Sequence, residues 1–115
     1  MHEMALAESM REIVESVARR NAARRVSAVR VELGALSCVE PQALEFCFDA
    51  TMRGSLAEGA RLEIMTTPGE AWCMPCGKTV ALARIGEACP ECGSYQLQVS
   101  RGEAMRVTEI EIWSD

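Results

Sequence analysis

The chain is predicted to adopt an α+β fold, two helices beside a small mixed β-sheet, with a compact cysteine-built lobe inserted late in the sequence. Three observations predict it. Apolar residues recur at helical spacing between Met4 and Asn21 and again between Pro41 and Gly54. Between and after these stretches, short runs alternate apolar with polar residues, the period of a strand with one buried face. Two C-x2-C pairs, Cys73/Cys76 and Cys89/Cys92, stand twelve residues apart and offer four sulfurs to one centre.

In the first helix Leu6, Met10, Ile13, Val14 and Val17 follow i, i+4, i+7, i+8, i+11, while Glu8, Arg11, Glu12 and Glu15 fall mostly outside that stripe. Met4 and Met10 are read as core rather than as soft copper ligands. Arg19, Arg20, Arg24 and Arg25 cluster where this helix ends. Cations there complement the helix dipole, and a solvated helix terminus is preferred over a phosphate-binding patch. From Val26 to Leu33 the period changes. Val29, Val31 and Leu33 alternate with Arg30 and Glu32, and Gly34 ends the strand.

Pro41 is placed as the first residue of a second helix whose buried side is Leu44, Phe48 and Met52, with Gly54 closing it. Cys47 is then a small core residue and Cys38 a loop thiol. Leu62 and Ile64 mark another strand, stopped by Pro68-Gly69. After the cysteine segment, Met105 and Val107 lie on one alternation phase and Ile110 and Ile112 on the other. A bulge near Thr108, or a strand covered on both faces, reconciles them. This last stretch is expected to return to the first sheet. The domain organisation is therefore an α/β domain over residues 1-70, joined by residues 101-115 as a C-terminal strand, with residues 71-100 as the inserted lobe.

Within that lobe, C-M-P-C-G and C-P-E-C-G are two equivalent knuckles. Gly77 and Gly93 stand where the chain turns back, and Pro75 and Pro90 stiffen the turns. A single C-x2-C is compatible with a thioredoxin-like redox pair, but two of them favour structural zinc, and iron–sulfur runs are usually spaced differently. Four thiolates close the coordination sphere, so Zn(II) held by Cys73, Cys76, Cys89 and Cys92 is scaffold without an open position for substrate. Lys78 to Leu82 and Tyr95 to Val99 are expected to pair beneath the knuckles as a zinc ribbon. So short a segment has too little core to fold alone, and bound zinc supplies on the order of 10 kcal/mol.

A chain of 115 residues accommodates one modest core plus such an appendage. No apolar run approaches the length of a membrane span, and no signal-peptide pattern opens the sequence, so the cytoplasm is the default. The knuckles account for four of the six cysteines, which argues against a secreted disulfide framework. Net charge is −5, and four thiolates on one Zn(II) make it two units more negative; such a surface repels nucleic acid.

His2 is the only histidine. The N-terminal amine, the amide nitrogen and the imidazole of residue 2 can close consecutive chelate rings in one plane, which suits Ni(II) or Cu(II) rather than tetrahedral zinc. The fourth site falls to the Glu3 amide, its carboxylate or water. A frayed terminus with an accidental histidine is the plain alternative.

Several motifs taken together resemble the HypA/HybF family of nickel metallochaperones. They are Met1-His2-Glu3, V-x-L-G at Val31 to Gly34, V-E-P-x-x-L-x-F at Val39 to Phe46, G-A-x-L-x-I at Gly59 to Ile64, and both cysteine pairs. The resemblance implies a non-enzymatic carrier whose Ni(II) is held by the amine of Met1, the backbone nitrogens of His2 and Glu3, and the His2 imidazole. It makes the domain of residues 1-70 the nickel-binding one. It further implies delivery to the [NiFe]-hydrogenase large-subunit precursor, the GTPase HypB as partner, and a carboxylate near Glu40 as a possible extra ligand. The competing class is a zinc-ribbon interaction module without nickel delivery, and a third reading is a dithiol oxidoreductase.

Overall fold

In the computed structural model, which describes residues 3–113, two helices and six strands follow in the order α1 (Glu3–Arg20), β1 (Arg25–Gly34), α2 (Pro41–Met52), β2 (Arg61–Thr67), β3 (Glu70–Cys73), β4 (Lys78–Ala81), β5 (Leu97–Arg101) and β6 (Met105–Trp113). The strands form two three-stranded sheets, ordered β2-β1-β6 and β4-β3-β5. The predicted class, helices beside sheet with a four-cysteine lobe, is the one observed. The chain divides into two compact units. Of the described residues, one unit takes those up to Val31, Val39–Met65 and those from Val107; the other takes Glu32–Cys38 and Thr66–Arg106.

In the first unit α1 packs on α2. The fully buried residues of α1 are Ala7, Met10, Val14 and Ala18. Met4 and Ile13, expected in the core, are 42% and 45% exposed. The buried line runs through two alanines, and Met4 instead accepts a hydrogen bond at its Sδ from the Thr51 hydroxyl at 3.3 Å. On α2, Leu44, Phe48 and Met52 are buried as expected, but Cys47 is only half-buried, on the helix flank. Glu40 caps α2 in an extended conformation, its Oε1 accepting from the Gln42 N–H at 2.9 Å, and Pro41 follows where a missing N–H costs nothing. At the far end of α2 the Arg11 Nη1 donates to the Thr51 carbonyl at 2.8 Å, satisfying an oxygen that the helix leaves unpaired.

β1 is the central strand. Its burial switches phase at Ala28–Val29, both of which are buried. Along β6 the exposed and half-buried residues alternate and switch phase at Thr108–Glu109, both exposed, so the strand is not covered on both faces. Arg30, on β1, reaches Glu63 on β2 at 2.9 Å and Glu109 and Glu111 on β6 at 3.0 and 3.3 Å, clasping all three strands. Hydrogen bonding from Arg30, then from Arg61, holds the Glu63 carboxyl below its usual range. These groups are solvated, so each pair contributes little alone.

The second unit holds two small apolar clusters: Leu36, Ala71 and Leu82 with Leu97 and Val99 against them, and Cys73, Val80 and Cys89 with Cys76 and Leu97. Here one expectation is corrected. The Lys78 and Leu97 strands do not pair with each other; both pair antiparallel with β3, a strand whose four residues carry too little alternation to announce themselves. Three glycines meet in this unit. A Cβ at Gly34 would fall on the Gly102 carbonyl, and one at Gly102, whose φ is +94°, would lie 2.7 Å from the Gly69 Cα and the Pro68 carbonyl oxygen. Gly102→Ala is therefore expected to lower stability by about 1–3 kcal/mol, through overlap with backbone that cannot retreat and an unfavourable φ. A denaturant melt unchanged from wild type would show that the crossing is loose.

Candidate metal centre

Each half of the cysteine cluster is built by the same local device. β3 ends at Cys73, fully buried, and the chain reverses so that the Gly77 N–H donates to the Cys73 carbonyl at 2.9 Å. In the second knuckle the Gly93 N–H donates to the Cys89 carbonyl, also at 2.9 Å. Gly77 and Gly93 have φ of +63° and +77°, a left-handed turn that glycine adopts without a Cβ penalty. The Glu91 N–H points at the Cys89 Sγ from 3.4 Å, a backbone donor aimed at sulfur. Two further contacts join the halves. The Lys78 ammonium pairs with Glu91 at 2.7 Å, and the Met74 N–H donates to the Gln96 carbonyl at 3.1 Å. Sequence reasoning did not single out the Lys78–Glu91 clasp, although Lys78 follows the first knuckle directly and Glu91 lies inside the second.

The four sulfurs lie within 4.8 Å of one another. Cys73 Sγ is 3.6 Å from Cys92 Sγ, and Cys76 Sγ is 3.9 Å from Cys89 Sγ. A disulfide needs about 2.0 Å, so these are not bonded pairs. A tetrahedral ion with metal–sulfur bonds of about 2.3 Å has sulfur–sulfur edges of about 3.8 Å, which the Cys73–Cys92 and Cys76–Cys89 separations match. The donor set therefore fits a four-thiolate metal ion.

The thiols are electrostatically unequal. Hydrogen bonding among the sulfurs, first with Cys92 and then Cys73, and burial after that, push Cys76 up to about 12. At Cys89 burial is the largest influence and opposes ionisation. The backbone N–H groups of Cys92 and Glu91, together with the Cys73 and Cys92 thiols, outweigh it and bring the thiol down to about 7. A cation inserted among the sulfurs would favour their thiolate forms.

The expected nickel ligands are placed less completely. Met1 and His2 lie outside the described residues. Glu3 is the first residue of α1, and its Oε2 accepts the Glu40 N–H at 3.3 Å. The structure thus brings Glu3 to the start of α2, beside Glu40, whose own carboxylate is occupied by the cap on Gln42. Among the described residues no other group of metal-ligating side chains comes together, and no helix is long and apolar enough to cross a membrane. Cys38 is exposed with φ of +62°, its Sγ 3.8 Å from the Leu36 carbonyl, apart from the four clustered thiols.

Comparison with known proteins gives the site its context. Residues 1–112 match the family described as hydrogenase/urease nickel incorporation, metallochaperone, hypA. The chain is 54% identical over 112 residues to hydrogenase maturation factor HypA of Albidiferax ferrireducens, covering 97% of this chain and 99% of that one. It is 56% identical over the same length, with the same coverage, to the HypA of Rhodopseudomonas palustris strain BisB5. Its fold is similar to the solution structure of the Ni metallochaperone HypA from Helicobacter pylori, with a TM-score of 0.72 at 24% identity over the whole of both chains.

Proposed function

This chain belongs to the HypA family of hydrogenase maturation factors, and from that premise we propose that it carries Ni(II) at its amino terminus on a body organised by one structural Zn(II). Members of the family are metallochaperones rather than enzymes, and a four-cysteine cluster able to hold a metal is part of this one. The observation that carries the nickel reading is the extent of the family match, which begins at residue 1 and so includes Met1-His2-Glu3.

Zn(II) is assigned to Cys73, Cys76, Cys89 and Cys92 because thiolates in a closed tetrahedron suit a redox-inert borderline-soft ion, and such a centre supplies folding energy rather than reactivity. Ni(II) is cargo. Its ligands are the Met1 amine, the backbone nitrogens of His2 and Glu3, and the His2 imidazole, a planar set whose two axial faces stay open. An acceptor can approach along that axis and take the ion by ligand exchange. The domain of residues 1-70, with residues 101-115, holds the nickel, and the ribbon of residues 71-100 is a recognition surface. Glu3 contributes through its backbone nitrogen, since its carboxylate is hydrogen-bonded to the Glu40 amide and orders the first residue of α1. The partners proposed are the GTPase HypB and the [NiFe]-hydrogenase large-subunit precursor, in the cytoplasm.

Blocking the terminus tests the ligand set. A Gly-Ser-Gly-Ser extension ahead of Met1 moves the free amine out of chelating reach of His2, so nickel affinity should fall by about two orders of magnitude or more, since a chelate ring is lost. Removal of the extension should restore it. Equal affinity in the extended and native proteins would take the amine out of the site.

A further inference from the structure

The basic cluster at the end of α1 is used by neither metal. Arg19 and Arg20 close the helix, Arg24 and Arg25 lead into β1, and all four are exposed. The chain has 17 acidic residues. Arg11, Arg61 and Arg106 each pair with one and Arg30 with three, whereas among the described residues Arg19, Arg20, Arg24 and Arg25 pair with none. Four arginines without an ion-pair partner among the described residues thus gather at the end of α1 and the start of β1, with the Glu111 carboxylate on the Ser27 hydroxyl at 3.0 Å as the acidic neighbour.

Trp113, at the end of β6, stands at the same place. The Arg24 N–H donates to the Trp113 carbonyl at 2.7 Å, and the residue is 58% exposed although tryptophan is a costly side chain to leave in water. Arg24, Arg25, Ser27 and Trp113 line a mainly apolar cleft of about 350 Å³.

The backbone decides which anion suits this face. The N–H groups of Asn21, Ala22 and Ala23 are bonded to carbonyls of α1, that of Arg24 to Trp113 and that of Val26 to Leu56. No run of free amides remains to cradle a phosphate, and the end of α1 presents carbonyls, the negative pole of the helix. What remains are separate guanidinium forks, each matched to one carboxylate, around an apolar slot with an aromatic wall. We propose that this face binds an acidic peptide segment of a protein partner, its carboxylates on Arg24, Arg25 and their neighbours and an apolar side chain in the cleft against Trp113. This goes beyond the nickel reading and does not depend on it.

Trp72→Phe leaves Trp113 as the sole tryptophan, so its emission reports the cleft. Titration with the peptide Glu-Glu-Leu-Glu-Glu-Leu should give a saturable blue shift that weakens as salt is added. Arg24→Gln/Arg25→Gln should weaken that binding by about tenfold or more, and Arg19→Gln/Arg20→Gln more mildly. In calorimetry Trp113→Ala should reduce binding as well. The proposal is overturned if no saturable response appears at millimolar peptide, if the arginine variants bind as wild type, or if inorganic phosphate or GTP binds more tightly than the peptide. Nickel and zinc contents of the arginine variants should equal those of wild type, which separates this proposal from the carrier reading.

Discussion

Replacing Cys89 by serine, or stripping the metal with a strong chelator, is expected to melt the four-cysteine unit while α1 and α2 stay folded. The reason is the size of the two cores. The helical unit buries Met10, Val14, Leu44, Phe48, Met52 and the inner face of β1. Among the described residues, the clusters of the cysteine unit hold Leu36, Ala71, Val80 and Leu82, with Leu97 and Val99 half-covered and the cysteines Cys73 and Cys89 making up the rest of the buried set. Zinc sites of this kind contribute about 10–16 kcal/mol at neutral pH, comparable to the whole stability of a small domain. Amide exchange reads the result residue by residue. Ala71 and Val80, in register across β3 and β4, should exchange slowly with metal and at solvent rates without it, while Phe48 stays protected. Protection of Ala71 that survives metal removal would show that the lobe stands on its apolar contacts.

The same experiment has a proton signature. Hydrogen bonding among the sulfurs holds Cys76 up at about 12, while backbone donors bring Cys89 down to about 7, so seating an ion on four thiolates releases protons. Zinc retention should accordingly fall as pH drops below neutrality, because protons compete for every sulfur.

His2→Ala is expected to abolish nickel binding and its planar d–d absorption while zinc stays at one per chain. Removing the imidazole opens the largest chelate ring and leaves an amine and amides that bind Ni(II) weakly without an anchor. The cysteine cluster is assembled from residues 73 to 92 and shares no ligand with the terminus, so its metal should not notice the change. Acidification should mimic the substitution. A free imidazole takes up its proton near pH 6.5, and a protonated ring cannot coordinate, so nickel affinity should decline through that range. Retention of the planar spectrum in His2→Ala, or a flat response from pH 7.5 to 5.5, would remove histidine from the account.

What the sequence revealed divides along a physical line. Ligand geometry at the knuckles is local: a C-x2-C-G turn places two sulfurs and demands a left-handed residue, so the convergence of Cys73, Cys76, Cys89 and Cys92 was readable from spacing. α2 was equally plain, because Pro41, Leu44, Phe48 and Met52 mark start and face at once. The buried face of α1 lies a fraction of a turn from the one its strongest apolar residues predict, because its line runs through Ala7 and Ala18, whose small side chains barely register as hydrophobic while Ile13 registers strongly. Strand partnership depends on distant pairing, so the segments at Lys78 and Leu97 were visible but β3 between them was not. The proposed nickel donors are mainly backbone nitrogens, which leave no side-chain pattern beyond His2, so the family resemblance and not periodicity points to them.

The division of labour between sulfur and the amino terminus is tested most directly by metal content. Untagged protein as purified, then saturated with Ni(II) and desalted, should hold one zinc per chain before and after, with one nickel added. Zinc that falls as nickel rises would mean that the cargo enters the cysteine cluster, contradicting a separate amino-terminal site.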